Sequence, residues 1–117
     1  MKIVYSNKKT EKICEEFSKA VTTLGKDVAI KLNDLLNAID AFSNLYDLYS
    51  LPQYHLHALT QNRKNQYSLV IKKGTKWRLI VYPLDKDVNL LINYGNEKEM
   101  LIRSVMVEIL EVSEHYD

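Results

Sequence analysis

The chain has 117 residues, of which 46% are apolar and 26% charged, close to the composition of an average globular domain. With only three glycines and two prolines, it is neither a fibrous repeat nor a disordered tail, and we predict one domain over residues 1–117. The single cysteine, Cys14, excludes an intramolecular disulfide and a cysteine-based zinc site. No membrane-length apolar run and no secretory signal is present, so we predict a soluble, cytoplasmic protein without a membrane partner.

Positive charge is concentrated in the middle of the sequence. Residues 48–84 carry six basic residues and no acidic one, whereas residues 1–47 carry seven of each sign. Residues 85–117 carry three basic and eight acidic residues. The basic window indicates either an anionic partner or an ordinary solvated hairpin, and charge alone does not separate these two interpretations.

The first part of the chain has helical periodicity after a short strand. Residues 2–5 form an apolar run typical of a strand, and Ser6 or Asn7 can cap the helix that follows. That helix is predicted to end at Gly25, and its apolar residues are Ile13, Phe17, Val21 and Leu24. A second helix, capped by Asp27, has an apolar face made of Val28, Leu32, Leu35, Leu36, Ile39 and Phe42. We expect the two helices to form an antiparallel hairpin.

From Tyr54 onward the apolar residues alternate with a period of two, which is typical of strands. A tight turn at Gly74 and Thr75 is expected to join two of them. The predicted elements are strands over 54–59, 66–73, 76–82 and 104–112, a helical turn over 97–103, and a strand or helical turn over 88–92. The fold class is therefore α+β, with the N-terminal strand and helical hairpin packed on a mainly antiparallel sheet. His57 and Arg78 are expected on the sheet face away from the helices.

Several side chains in the basic window are candidates for chemistry. His55 and His57 are two residues apart and project from one strand face, where His115 can act as a third metal ligand. No carboxylate that completes such a site is evident nearby, so we predict neither a metal nor a cofactor. Arg78 suits a phosphate, or is an ordinary outward residue of its strand. The interleaved aromatic residues either stack on unpaired bases or pack in the core; they are Tyr54, Tyr67, Trp77 and Tyr82.

An ordered set of residues in this window resembles the HigB branch of the RelE/ParE toxin superfamily. The set consists of Pro52, His57, Arg63-Lys64, Tyr67-Ser68 and Trp77-Arg78. The resemblance covers most of the chain except roughly residues 84–103. It implies a RelE-like fold and the toxin of a type II toxin–antitoxin module, which cleaves mRNA on the translating ribosome. It also implies a helix-turn-helix antitoxin, similar to HigA, as the partner.

The resemblance further implies a metal-independent endoribonuclease, in which the substrate's own 2′-hydroxyl attacks the adjacent phosphate. His57 and His115 would transfer protons, with the base not assigned, and Arg78 would stabilise the phosphorane. Tyr116 would act as an acid or stack on a base. The residues expected to bind RNA are Arg63, Lys64, Tyr67 and Lys76. Two alternatives stay open. One is a ParE-like gyrase poison. The other is a degenerate toxin that only binds its antitoxin, and this second alternative is favoured by Thr60, which stands where the family usually has a lysine.

Overall fold

The computed structural model describes residues 1–91 and 95–114, and within them five strands form one mixed sheet. The strands are β1 (Lys2–Tyr5), β2 (His57–Ala58), β3 (Tyr67–Val70), β4 (Arg78–Leu84) and β5 (Met106–Ser113). Their order across the sheet is β1-β5-β4-β3-β2. The outer strand β1 is parallel to β5, and every other neighbouring pair is antiparallel. The predicted α+β class with a mainly antiparallel sheet is confirmed.

The first predicted helix is in fact two short helices. The helices of the described chain are α1 (Lys8–Glu15), α2 (Phe17–Leu24), α3 (Lys26–Ala41), α4 (Leu45–Tyr49) and α5 (Glu97–Arg103). The prediction of one continuous helix was wrong because Glu16 takes an extended conformation, φ −112° and ψ 103°, between α1 and α2. The predicted cap is present at Asn7, whose Oδ1 accepts a hydrogen bond of 2.8 Å from the backbone N–H of Thr10.

A single residue, Gly25, separates α2 from α3. Its φ of 87° lies in the left-handed region that glycine enters without steric cost, so the chain reverses without a longer loop. Asp27, predicted as the cap of the second helix, lies instead in the first turn of α3. The antiparallel helical hairpin is therefore built on Gly25, and α1 is added to it as a further short helix.

The hydrophobic core lies between the helices and one face of the sheet. The strands contribute alternate residues, and α3 contributes one side of its surface. The large side chains of this core that α3 and the strands bury fully are Leu32, Leu35, Ile39, Leu69, Leu79, Val81, Val107 and Ile109. The residues between them on the strands point to the opposite side of the sheet, which we call the open face.

Strand register decides which side chains share the open face. His57 pairs with Ser68, Ser68 with Ile80, and Ile80 with Glu111, so these four lie in one row. Arg78 lies two residues before Ile80 on β4 and therefore projects to the same side. The open face thus carries both His57 and Arg78, on the side of the sheet predicted for them.

The predicted strand over residues 54–59 is much shorter than expected. Residues Pro52–Tyr54 form a 3₁₀ turn, and His55 follows in the left-handed conformation with φ 45° and ψ 47°. Both features interrupt the extended backbone, so only His57 and Ala58 pair as β2. The segment predicted as a connector before Pro52 contains the helix α4.

The C-terminal elements follow the predicted order. Asn96 caps α5 by accepting a hydrogen bond of 2.8 Å from the backbone N–H of Glu99, and β5 follows within a few residues. In the segment predicted as a strand or helical turn, Leu90 forms an isolated bridge with Leu84, and Ile92 lies outside the described residues. Among the described helices, none combines the length and apolar composition needed to cross a membrane.

Candidate functional site

His57 is oriented by a hydrogen bond to the backbone just before it. Its Nδ1 donates to the carbonyl oxygen of His55 at 2.9 Å. Because a carbonyl oxygen only accepts, Nδ1 carries the proton, and Nε2 is the basic nitrogen of the neutral ring. The two histidine rings lie with their centroids 4.7 Å apart. The sharp backbone turn at His55 therefore fixes both the tautomer and the direction of the His57 ring.

Arg78 is held by the turn that precedes its strand. Nη1 donates to the carbonyl oxygens of Thr75 at 2.7 Å and of Trp77 at 3.0 Å. Nε is buried and has no hydrogen-bond partner among the described residues. The other terminal nitrogen, Nη2, forms no hydrogen bond with a described residue either. The Nε–Nη2 edge, which can bind a phosphate or carboxylate through two parallel bonds, thus has no partner among the described residues.

Unsatisfied polar atoms in the described chain concentrate on the open face. Two buried side-chain atoms lack a partner there, Ser68 Oγ and Arg78 Nε. Ser68 lies on β3 between His57 on β2 and Ile80 on β4. From ordinary strand spacing, His57 and Arg78 are separated by about 10 Å across the sheet and about 7 Å along it. A substrate group between two long side chains fits that separation.

A groove of about 410 Å³ opens beside Arg78, between the 3₁₀ turn at Pro52 and the turn at Gly74. Its lining residues are Pro52, Gln53, His55, Val70, Lys73, Gly74 and Arg78. Sequence reasoning did not assign a role in RNA binding or catalysis to His55 or Lys73. The available signals were the two-residue spacing of the histidines and the lysine beside the predicted turn, but only the folded chain shows that both line one groove with Arg78.

Arg63 is engaged within the protein. Its guanidinium forms an ion pair with Glu111 at 3.4 Å and donates to the Gln66 Oε1 at 3.0 Å. Gln66 in turn donates to the Tyr82 hydroxyl at 3.4 Å. These contacts link the segment before β3 to β4 and β5 on the open face. The Arg63 charge is therefore shared with a carboxylate, whereas Lys64, next to it, is exposed.

Lys76 is exposed at the other end of the predicted RNA surface, close to the start of β4. Neither Lys76 nor Lys64 has an ion pair with a described residue. Both therefore remain predicted contacts to an RNA backbone, while Arg63 reaches such a backbone only by exchanging Glu111 for a phosphate.

Tyr67 was predicted to bind RNA, and the structure corrects this assignment. Its ring lies on the helix side of the sheet and is 4% exposed, within the core. The hydroxyl donates to the Glu97 Oε2 at 2.7 Å. Burial, followed by this hydrogen bond, raises the pKa of Tyr67 well above its ordinary value. A ring enclosed in this way cannot stack on a base.

We expect the variant Tyr67→Phe to lose roughly 1 kcal/mol of unfolding free energy, the usual scale of one hydrogen bond. RNA binding is expected to stay unchanged, because the hydroxyl lies on the far side of the sheet from His57 and Arg78. Urea unfolding measures the first quantity and an RNA titration the second. Weaker RNA binding at unchanged stability would contradict the placement of Tyr67 in the core.

The tail residues His115 and Tyr116 lie outside the described residues, so their catalytic roles stay predictions. Within the described part, no three His, Cys, Asp or Glu side chains come together as a possible metal site. Cys14 on α1 is partly buried, and burial raises the pKa of its thiol to about 12. That thiol stays protonated at neutral pH, as expected for a residue that packs.

Two solved structures share this architecture over nearly their whole length. A YoeB/ParE toxin from Agrobacterium tumefaciens aligns with a TM-score of 0.50 and 14% identity, covering 99% of this chain and 100% of its own. A YoeB dimer from Staphylococcus aureus aligns with a TM-score of 0.52 and 19% identity, covering 99% and 98%. The chain has the fold of YoeB-type toxins. At these identities the likeness establishes the fold alone and does not single out the HigB branch.

Sequence comparison adds nothing to the structural likeness. No protein-family model matches the sequence, and no curated protein matches it either. What this YoeB-type fold does in the present chain therefore has to be argued from the side chains on its open face.

Proposed function

We propose that this protein is the toxin of a type II toxin–antitoxin module and a metal-independent endoribonuclease acting on mRNA in the ribosome. The observation that carries the proposal is Arg78, whose phosphate-binding edge has no partner among the described residues and lies on the same sheet face as an oriented His57. The YoeB-type fold supports the toxin class. The resemblance of residues 51–80 to HigB proteins supports the ribonuclease reaction.

The proposed reaction needs no group from outside the RNA and the protein. The 2′-hydroxyl loses its proton to a base and attacks the adjacent phosphorus, while the 5′-oxygen leaves and takes a proton from an acid. The products are a 2′,3′-cyclic phosphate and a 5′-hydroxyl. His57 transfers one proton through Nε2, and His115 or Tyr116 transfers the other. Arg78 stabilises the charge that develops on the phosphorane oxygens.

RNA would be held mainly by charge. Lys64 and Lys76 are exposed and contact the backbone, and Arg63 joins them when a phosphate replaces Glu111. The absence of acidic residues from positions 48–84 favours this arrangement. Because neutralised phosphates release counterions, binding is expected to weaken steeply with salt. The ribosome completes the alignment of the substrate, so the free protein is expected to be a poor nuclease.

The proposed partner in the cell is a helix-turn-helix antitoxin similar to HigA. Such a partner would neutralise the toxin by covering the helical hairpin or the basic strands. A short reading frame with a helix-turn-helix pattern beside this one would support the assignment, and copurification of its product with the present chain would test it directly.

We expect induced expression of the chain alone to arrest bacterial growth, with translated mRNA cleaved and purified RNA left nearly intact. Growth is followed by optical density and cleavage by mapping mRNA ends with and without translation. The matched control is coexpression with the candidate antitoxin, which should restore growth. DNA breaks without mRNA loss would support a gyrase poison instead, and unaffected growth would support a protein that only binds its antitoxin.

A further inference from the structure

We propose that the groove beside Arg78, here called the His55–Lys73 groove, is a second phosphate site that holds an RNA phosphate next to the one being cleaved. This inference rests on the proposed function and extends it to residues that the proposed mechanism does not use. The volume of about 410 Å³ is ordinary for a ligand pocket and leaves room for a nucleotide phosphate.

The lining of the His55–Lys73 groove has the chemistry of an anion site. Lys73 supplies a cation that the proposed mechanism does not use, and Arg78 adds positive charge at the border with the reacting centre. His55 and Gln53 supply further hydrogen-bond donors, and no carboxylate among the described residues lines the groove. A groove of similar size near Asp85, about 460 Å³, contains two aspartates among its basic residues. No described residue of the His55–Lys73 groove therefore neutralises its positive charge, and a phosphate is the ligand that its donors match.

The backbone around the groove is already arranged for binding. The turn that presents Lys73 is closed by a 3.1 Å bond from the Thr75 N–H to the Lys72 carbonyl oxygen, with Gly74 at φ 85°. The same turn holds Arg78 through the Thr75 carbonyl oxygen. On the opposite wall, His55 keeps a left-handed conformation that a non-glycine residue adopts at some cost. Strain of this kind is concentrated at binding and catalytic sites.

The groove is linked to the proposed catalytic histidine through His55. The carbonyl oxygen of His55 accepts the bond that orients His57, and the two rings are 4.7 Å apart. A phosphate bound between His55 and Lys73 therefore lies beside the ring that moves the proton. Arg78 borders both the groove and the open face, so one strand of RNA can contact the groove and the reacting centre together.

The test measures phosphate binding to the free protein, without ribosomes. Inorganic phosphate and an uncleavable 2′-deoxy dinucleotide are titrated separately at constant ionic strength set with chloride, and NMR follows the Gly74 amide and the His55 ring. We expect both ligands to shift these signals. Lys73→Ala should weaken binding about tenfold or more, the scale of one charge-assisted hydrogen bond. Lys73→Arg should retain it.

The matched control is Lys19→Ala, which removes the same charge from an exposed position on α2, on the helix side of the sheet. This variant should bind phosphate as the wild type does. An equal loss of phosphate affinity in Lys73→Ala and Lys19→Ala would show that the protein attracts phosphate through its overall charge and not through a site, which would overturn the inference. The melting temperatures of all variants show whether a loss of phosphate binding is caused by unfolding. If Lys73→Ala is unfolded, the inference is judged on Lys73→Arg, which should bind phosphate as the wild type does.

Two outcomes overturn the inference while leaving the proposed function standing. One is the absence of localised shifts with either ligand in a protein that still cleaves translated mRNA. The other is binding of inorganic phosphate but not of the dinucleotide, which would make this a site for a free anion. The converse result, localised binding of both ligands without mRNA cleavage in cells, would remove the proposed function and keep the phosphate site.

Discussion

Replacing Arg78 by alanine is expected to lower cleavage of translated mRNA by on the order of 100-fold or more, the usual effect of removing a charge-stabilising donor. The Nε–Nη2 edge of this guanidinium has no partner among the described residues, so its loss removes a contact that the substrate alone would satisfy. The readouts are mRNA end mapping on ribosomes and growth arrest in cells.

The Arg78 variants also need a measurement of stability. The sequence suggested an exposed strand residue, but Arg78 is partly buried and Nη1 bonds to the carbonyl oxygens of Thr75 and Trp77. The loss of these two hydrogen bonds in Arg78→Ala is expected to lower the free energy of unfolding by roughly 1–2 kcal/mol. Arg78→Lys keeps the charge without the planar fork and should stay well below wild-type activity. Wild-type cleavage by a folded Arg78→Ala protein would remove Arg78 from the mechanism. Growth arrest by the wild type without any loss of mRNA would instead favour the gyrase-poison alternative.

Replacing His57 by alanine is expected to lower mRNA cleavage by about 100-fold to 10,000-fold, the range typical of losing a general acid or base. The ring is placed for this role because Nδ1 is bonded to the His55 carbonyl oxygen and Nε2 is the basic nitrogen. His57 lies at a short strand edge and is only partly buried, so the free energy of unfolding should change little.

The sharper version of this experiment uses His57→Asn. The asparagine amide occupies the position of Nδ1 and can still donate to the His55 carbonyl oxygen, but it cannot transfer a proton near neutral pH. We therefore expect the local backbone to be retained and cleavage to be lost. A chelator selective for transition metals, which leaves the Mg²⁺ of the ribosome in place, should leave the wild-type reaction unchanged, since the proposed mechanism uses no metal. Wild-type cleavage by a folded His57→Asn protein would remove His57 from the mechanism.

Elements with strong periodicity were predicted well from the sequence. The apolar face of α3 recurs every three or four residues, and its predicted members Leu32, Leu35 and Ile39 are fully buried. The predicted ends of the strands β1, β4 and β5 differ from the observed ends by about two residues or fewer. These elements are predictable because burying one face leaves a repeat in the sequence itself.

Local backbone conformation was predicted less well. The break at Glu16 divides a pattern that remains helical across it, so periodicity alone gives one helix where the structure has two. The alternation after Tyr54 resembles a strand, yet the 3₁₀ turn begun at Pro52 and the left-handed His55 shorten it to two residues. In both places a few dihedral angles override the side-chain pattern.

For the side chains of the site, too, periodicity predicted the face on which they lie but not the contacts that they make. Alternation placed His57 and Arg78 on one face without any knowledge of the partners of their strands. It could not show that Tyr67, an aromatic residue in the basic window, packs in the core and bonds to Glu97 on a distant helix. Nor could it show that Arg63 faces a carboxylate 48 positions away in the chain, at Glu111.

By itself, the sequence determined the fold class, the basic middle segment and the side of the sheet that bears His57 and Arg78, because composition and periodicity are local properties. The tertiary structure alone decided which charges meet. The register of β4 against β5 shifts between Ile80 and Val81, and this irregularity sets Glu111 opposite Ile80 on the open face, where Arg63 reaches it. The His55–Lys73 groove likewise exists only once the turns at Pro52 and Gly74 come together, since contacts between distant segments leave no periodic trace in a single sequence.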